Sequence, residues 1–436
     1  MNKKIIYVVI LLSLTTQLIS CKQREEETVK RIVIESDVRD QKLGEKNKNP
    51  KVTVEKINLK LDEGDYFEPA FYHEGEVYGA IDKGRGTISR SDKATAAHPI
   101  AGYMKEYLYK VDDDNNLIET SKEAFNFIGR AKMLGFKLFE NDKVFSIDYK
   151  KEDKIKEIPE LTKIINELKE RSGYDSACHI RLNSDNENYV EIYITTASNK
   201  EKLYLYDMKS KKLHDVHDKE YEKNGCLNTL HYVDSLQSLV WINKDLKVYK
   251  LKLEKENAFF ESYINLDKYI GSNEKGKIDN VRGVMINSNE MLIFQDQYLS
   301  EVGPYLYHPI YKTISISKFN FKTNQYRVLF EVPNDINMYG QYIGNNMLNL
   351  EEFKQNEKTM ESIIPINRYI KEIRNDELNV IYKEKTENEG ETSYPYVYIT
   401  ANEDGTELFL ARHLTKFEDD TVITKDIVYQ KYKIEY

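Results

Sequence analysis

The chain has 436 residues, of which 40% are hydrophobic and 31% charged, and a formal net charge of -9. This balance is that of a globular protein. The excess of acid, with lysines interleaved among carboxylates and never gathered into a basic run, excludes nucleic acid as a partner, because phosphate binding needs concentrated Lys and Arg.

Lys3 and Lys4 form a positive start, and Ile5 to Ile19 is almost wholly apolar. The run is shorter than the ~20 residues that cross a hydrocarbon core. It has the form of a secretory signal, which is removed before folding is considered. Its end, Leu18-Ile19-Ser20-Cys21, carries a small residue directly before a cysteine. The segment resembles bacterial lipoprotein signals. That resemblance implies cleavage before Cys21 and lipidation of its sulfur with fatty chains such as palmitate, making the membrane a partner through that lipid. Residues 1–20 are then the signal peptide, 21–50 a flexible stalk and 51–436 the folded body. The stalk is polar apart from Val29 to Ile34 and cannot bury enough surface to offset its ordering entropy. Arg24-Glu25-Glu26-Glu27 resembles export tags of surface-displayed lipoproteins, which implies a place in the bacterial envelope, on the outer membrane or the cell surface.

Along the body one pattern recurs, a short aromatic or β-branched strand, a polar turn and a second strand. Examples are Tyr107 to Ile118, Leu203 to Val216, Val248 to Ile264, Ile314 to Val332 and Tyr396 to Leu410. Two further strands precede most copies. Four consecutive strands every ~40–50 residues is the mark of propeller blades. Units are predicted near 66–120, 129–160, 178–217, 227–266, 280–332 and 366–413. The fold class is therefore all-β, a β-propeller of six four-stranded blades, with a seventh if both termini assemble one. Val52 to Leu59 would pair with Val422 to Tyr436, closing the ring and leaving no open sheet edge. A β-sandwich is the competing architecture. Pro159 to Gly173 reads as one amphipathic helix, with Leu161, Ile164, Ile165 and Leu168 on one side. Asn349 to Glu361 reads as a short helix or a loop.

The turn Ala401-Asn402-Glu403-Asp404-Gly405-Thr406-Glu407-Leu408, behind Tyr396-Val397-Tyr398-Ile399, looks like the outer hairpin of TolB-like propellers. With the N-terminal signal, the whole resembles propeller-type lipoproteins of bacterial envelopes. The likeness is to an architecture and transfers no catalytic residue.

Blade geometry narrows the candidate site, since the connections between second and third strands emerge on the same face as those between blades. Three such connections are long, at 83–105, 295–312 and 385–395. Long loops on a rigid scaffold are where function is commonly placed. The first carries Arg85, Arg90, His98 and Tyr103. The second carries Tyr298, Glu301, Tyr305, Tyr307, His308 and Tyr311. Arg85, Arg90, Tyr305, Tyr307 and His308 are the predicted ligand-binding residues, suited to a glycan or a peptide segment of a protein. Other patterns fall short of a chemistry. Lys83-Gly84-Arg85-Gly86-Thr87 lacks the phosphate-loop spacing. His214 and His217 would point to opposite faces of a strand, and Asp112 to Asn116 lacks the glycine of a calcium loop. There is no G-x-S-x-G elbow and no H-E-x-x-H. No catalytic residue, metal ligand or cofactor is assigned.

The reading is a lipid-anchored envelope protein whose propeller is a binding module rather than an enzyme. Its rivals are a carbohydrate-active hydrolase or lyase with carboxylates at the ring centre, and a structural component of an envelope assembly. Cys178 and Cys226 are free to pair or not.

Overall fold

The computed structural model describes residues 31–33, 50–62, 65–82, 87–88, 107–123, 134–138, 143–148, 155–171, 179–183, 188–195, 201–217, 221, 230–269, 278–299, 311–355, 362–374, 377–386, 392–393, 397–418 and 421–436. Two strands precede the first meander, β1 (Arg31–Val33) and β2 (Lys51–Ile57). The first sheet then runs β3 (Tyr66–His73), β4 (Glu76–Asp82), β6 (Tyr107–Val111) and β7 (Leu117–Glu123), with β5 (Thr87–Ile88) inside its long connection. Next come three strands, β8 (Leu134–Leu138), β9 (Val144–Asp148) and β10 (Ile155–Glu157), and the helix α1 (Pro159–Arg171).

Two four-stranded meanders follow. One is β11 (His179–Asn183), β12 (Tyr189–Thr195), β13 (Glu201–Asp207) and β14 (Lys212–Val216). The other is β15 (His231–Val233), β16 (Ser238–Ile242), β17 (Lys247–Glu254) and β18 (Asn257–Asn265). A short parallel contact, Asp215 opposite Asn257 and Val216 opposite Ala258, joins their last strands. Then come β19 (Asn280–Asn287), β20 (Glu290–Tyr298), β21 (Tyr311–Asn320) and β22 (Gln325–Glu331), and after them β23 (Asn337–Gly344), β24 (Met347–Gln355), β25 (Ser362–Arg374) and β26 (Glu377–Lys385). The last sheet contains β28 (Val397–Ala401), β29 (Glu407–Glu418) and β30 (Thr421–Glu435), after the short β27 (Thr392–Ser393). Its fourth strand is β2, paired antiparallel from Lys51 opposite Glu435 to Ile57 opposite Tyr429.

The first strands form an inner edge: β28 packs against both β3 and β23, and β11 against β8. Successive antiparallel meanders, first strands innermost, with the last sheet completed by a strand from the other end of the chain, make a β-propeller. β2 and β30 pair as the sequence predicts for Val52 to Leu59 and Val422 to Tyr436.

Local chemistry explains the hairpins. Glu74 and Gly75 both have positive φ, as do Asn345 and Asn346, the backbone that two-residue turns between twisted strands require. Apolar residues of facing sheets interleave at each seam. In one, Leu203, Leu205, Leu239 and Trp241 are all buried, and Trp241 stacks on Tyr249 with centroids 4.7 Å apart. The helix stops at Arg171, begins with proline, and buries Leu161, Ile165 and Leu168. These pack with Val144, Val190 and Ile192 beside a sheet of which three strands lie among the described residues.

Three expectations shift. The unit placed at 366–413 divides between two sheets. β23 and β24, rich in Asn, Gln, Tyr and Gly, are strands of the sheet that β25 and β26 complete, so Asn349 to Gln355 is strand and not helix or loop. Because β25 and β26 belong to the preceding sheet and β30 and β2 complete the last one, β28 and β29 are the first and second strands of their sheet and not its third and fourth. The Asp404-Gly405 turn therefore joins the first two strands of its sheet and is not an outer hairpin. Finally, within the segment expected as stalk, Arg31–Val33 pairs in parallel with Tyr326–Val328 of β22.

Candidate recognition face

Strand direction sorts the connections into two ends. One end holds short turns, such as those at 74–75, 345–346 and 402–406. At the other, 83–106, 299–310, 356–361 and 386–396 are rooted. The segment 385–395 leads from β26 to β28, so it links two sheets instead of two strands of one, yet it roots on the same end.

Two short pairings tie these connections together. Thr87 and Ile88, in the first long connection, pair with Ile423 and Val422 of β30. Thr392 and Ser393 pair with Ile363 and Ser362 of β25. The hairpin of β29 and β30 also outruns its sheet. Arg412 lies opposite Val397, the first residue of β28, yet β29 continues from His413 to Glu418. At ~3.3 Å per residue that projection is about 20 Å. Arg85, Arg90, Tyr305, Tyr307 and His308 lie outside the described residues, as does Cys21. The strands that root their connections are described, and all open on this end.

At the root of 299–310, the rings of Tyr298 and Tyr311 meet edge to face, 5.6 Å apart. The Tyr298 amide donates to Asp279 Oδ2 at 2.7 Å, and burial pushes the Tyr311 phenol up, helped by the nearby Asp296 and Asp279 carboxylates. Behind them, Arg282 donates through Nε to Asp296 Oδ2 at 2.7 Å and through Nη2 to the Gly340 carbonyl at 2.9 Å. Its guanidinium lies between the rings of Phe294 and Tyr339, 4.7 Å from each centroid. Asp296 is fully buried and also accepts from Thr313 Oγ1 at 2.9 Å, which in turn accepts from the Gly340 amide at 3.0 Å. Arginine and acid are thus fixed across the seam between two sheets. They support the face.

A second buried polar layer lies in the next seam. Glu351 accepts from Arg368 at 3.0 Å and from Arg412 across the seam. Arg368 also binds Glu384 and donates to Tyr432 Oη at 3.0 Å. Burial, the largest effect, raises the Tyr432 phenol. Composition gave no hint of this layer, since the four charged partners come from β24, β25, β26 and β29.

The inner strands show what chemistry the axis offers. Among the described residues, Glu68 is the one carboxylate on β3, β15, β19, β23 and β28, and it accepts from Tyr398 Oη at 2.9 Å. No cluster of three or more His, Cys, Asp or Glu among the described residues could hold a metal ion. His214 is buried while His217 sits outside beside Asp215 at 3.4 Å, on opposite faces as expected. The Asp112 carboxylate accepts from the Asn116 amide at 2.7 Å, which caps its own hairpin and holds the acid below its usual range.

No protein-family model matches the chain, and a search of curated proteins finds no match. Among solved structures it is similar to the β-propeller domain of Cps50 (Swd1) from Myceliophteria thermophila, at 9% identity and TM-score 0.38, over 87% of this chain and 99% of that one. It is similar to a protein of unknown function from Dyadobacter fermentans, at 8% identity and TM-score 0.36, over 88% and 99%. A third is the β-propeller domain of the Trilobed protease from Pyrococcus furiosus, at 9% identity and TM-score 0.30, over 84% of each chain.

Proposed function

We propose that this is a lipid-anchored protein of the bacterial envelope whose propeller serves as a binding module, with the long-connection end as its recognition surface for a glycan or an extended protein segment. The ring is read as seven blades, the 134–157 sheet being the short one beside α1. The observation that carries the proposal is the pairing of Thr87-Ile88 with Val422-Ile423, which joins the first long connection to the projecting hairpin on the end where the other long connections root. A rigid base and long loops gathered on one side suit recognition.

The test has two arms. Metabolic labelling with a palmitate analogue should mark the wild type and not Cys21→Ala, and that variant should leave the membrane fraction. Purified protein is then screened against glycan arrays and envelope proteins. Arg85→Ala with Arg90→Ala, and Tyr305→Ala with Tyr307→Ala and His308→Ala, should each weaken the captured ligand at least tenfold. Unchanged binding by both variants would remove the assigned surface. Turnover of a captured glycan would establish the hydrolase instead.

A further inference from the structure

The direction in which the N-terminal segment meets the ring has a consequence for display. β22 runs from the short turn after Asn320 toward the long-connection end, with Gln325 opposite Asn320 and Glu331 opposite Ser315. β1 is parallel to it, with Arg31 opposite Tyr326 and Val33 opposite Val328. Arg31, the first residue of β1, therefore lies toward the short-turn end of the sheet. The chain enters the ring a second time at the same end, because Lys51 pairs with Glu435 and Glu407, at the 402–406 turn, pairs with Lys433.

We infer that Arg31–Val33 is a clamp: it docks the segment behind Cys21 on the outer edge of β22, so that the anchored ring turns its short-turn end toward the bilayer and its long-connection end away from it. The inference rests on the proposed lipid anchor. Its effect on reach is large. A free tether from residue 22 to residue 50 extends to about 100 Å, whereas one ending at residue 30 extends to about 30 Å. Three parallel ladder residues are weak alone. Covalent attachment adds to them, since 17 residues separate Val33 from Lys51 on the last sheet and the docking is therefore intramolecular. Both entry points on one end also mean that release of the clamp lengthens the tether without reversing the ring.

The test uses the full lipidated chain on vesicles of neutral lipid carrying a headgroup nitroxide quencher. A fluorophore is placed at Lys322→Cys, in the turn before β22, or at Glu331→Cys, the last residue of β22, both exposed. Several-fold stronger quenching at 322 is expected, and equal or reversed quenching overturns the orientation. Hydrogen exchange reports the clamp separately. Deleting residues 22–47 should speed exchange at Tyr326–Val328 at least tenfold and leave β20 unchanged, and unaltered exchange there overturns the clamp. A wild-type chain that fails to partition with vesicles overturns the anchor, and with it the orientation, while the exchange result still decides whether the strand docks.

Discussion

The backbone amide of Phe67 donates to the hydroxyl of Tyr429 at 2.8 Å, a buried bond between residues 362 positions apart. It fastens the first meander to the last. Around it Ile57, Tyr72, Val77, Phe409 and Ala411 form one apolar cluster drawn from both ends of the chain. Tyr398 and Glu68 repeat the join at the inner edge. Ring closure thus has a polar and an apolar part. Tyr429→Phe keeps the apolar part and strands a buried N–H, which costs about 1–3 kcal/mol. A lowered urea midpoint with an unchanged slope is the expected result.

Arg412 and Glu351 test the second seam. Removing one partner of a buried pair costs about 3–5 kcal/mol because the other charge stays buried. Here Arg368 still holds Glu351, so Arg412→Met is expected at the lower end of that range. Glu351→Gln combined with Arg412→Met should recover part of the loss. Denaturant melts of the two single variants and the double variant give the coupling directly.

Lys371 is fully buried, with its ammonium 5.0 Å from the Phe330 ring centroid. Desolvation lowers its pKa to about 8. Between that value and the ~10.4 of an unfolded lysine, the unfolded chain holds more protons. Stability contributed through this group therefore rises with pH across that window, and below pH 8 the full penalty, on the order of 3 kcal/mol, is present. Lys371→Met should raise the melting temperature at pH 7, and its advantage should shrink as pH climbs toward 10.5. A pH-independent difference would assign the gain to packing alone.

His214 acts in the opposite range. Burial, the largest effect, holds its imidazole below the usual value. Once pH falls below the ~6.5 of an unfolded histidine, the unfolded chain takes up a proton that the folded chain resists. His214→Gln should flatten the loss of stability on acidification from pH 7, as followed by thermal melts across that range.

Gly79 answers to sterics. A Cβ there would lie 2.1 Å from the Glu68 carbonyl oxygen and 2.7 Å from the Phe67 ring. Backbone cannot yield as a flexible side chain does, so Gly79→Ala is expected to cost about 3 kcal/mol or more. Reduced soluble yield and a lower urea midpoint check this.

How legible all this is from sequence depends on which contacts are local. Hairpins such as Leu203 to Val216 announce themselves through aromatic and β-branched runs around polar turns. The helix shows its Pro159 start and its apolar stripe. Grouping strands into sheets is harder, because it depends on long-range partners. β24 hides Asn349 and Glu351 at 2% and 4% exposure, and such residues read as surface until the arginines that pair with Glu351 are known. The same holds for the candidate face. Loop length locates it, whereas the pairing of β5 with β30 joins segments over 300 residues apart and leaves no local signal.

A disulfide reports whether the long connections gather on one end against the closing hairpin. Ile88 and Val422 are direct antiparallel partners, a spacing of ~4.5–5.5 Å between Cα atoms that a disulfide spans. Ile88→Cys with Val422→Cys should oxidise to an intramolecular link as readily as the control pair Glu55→Cys with Lys431→Cys, which joins β2 to β30. Mass spectrometry of the linked peptides gives the yield. A control pair that closes while 88 and 422 stay reduced would show that the first long connection does not meet the hairpin.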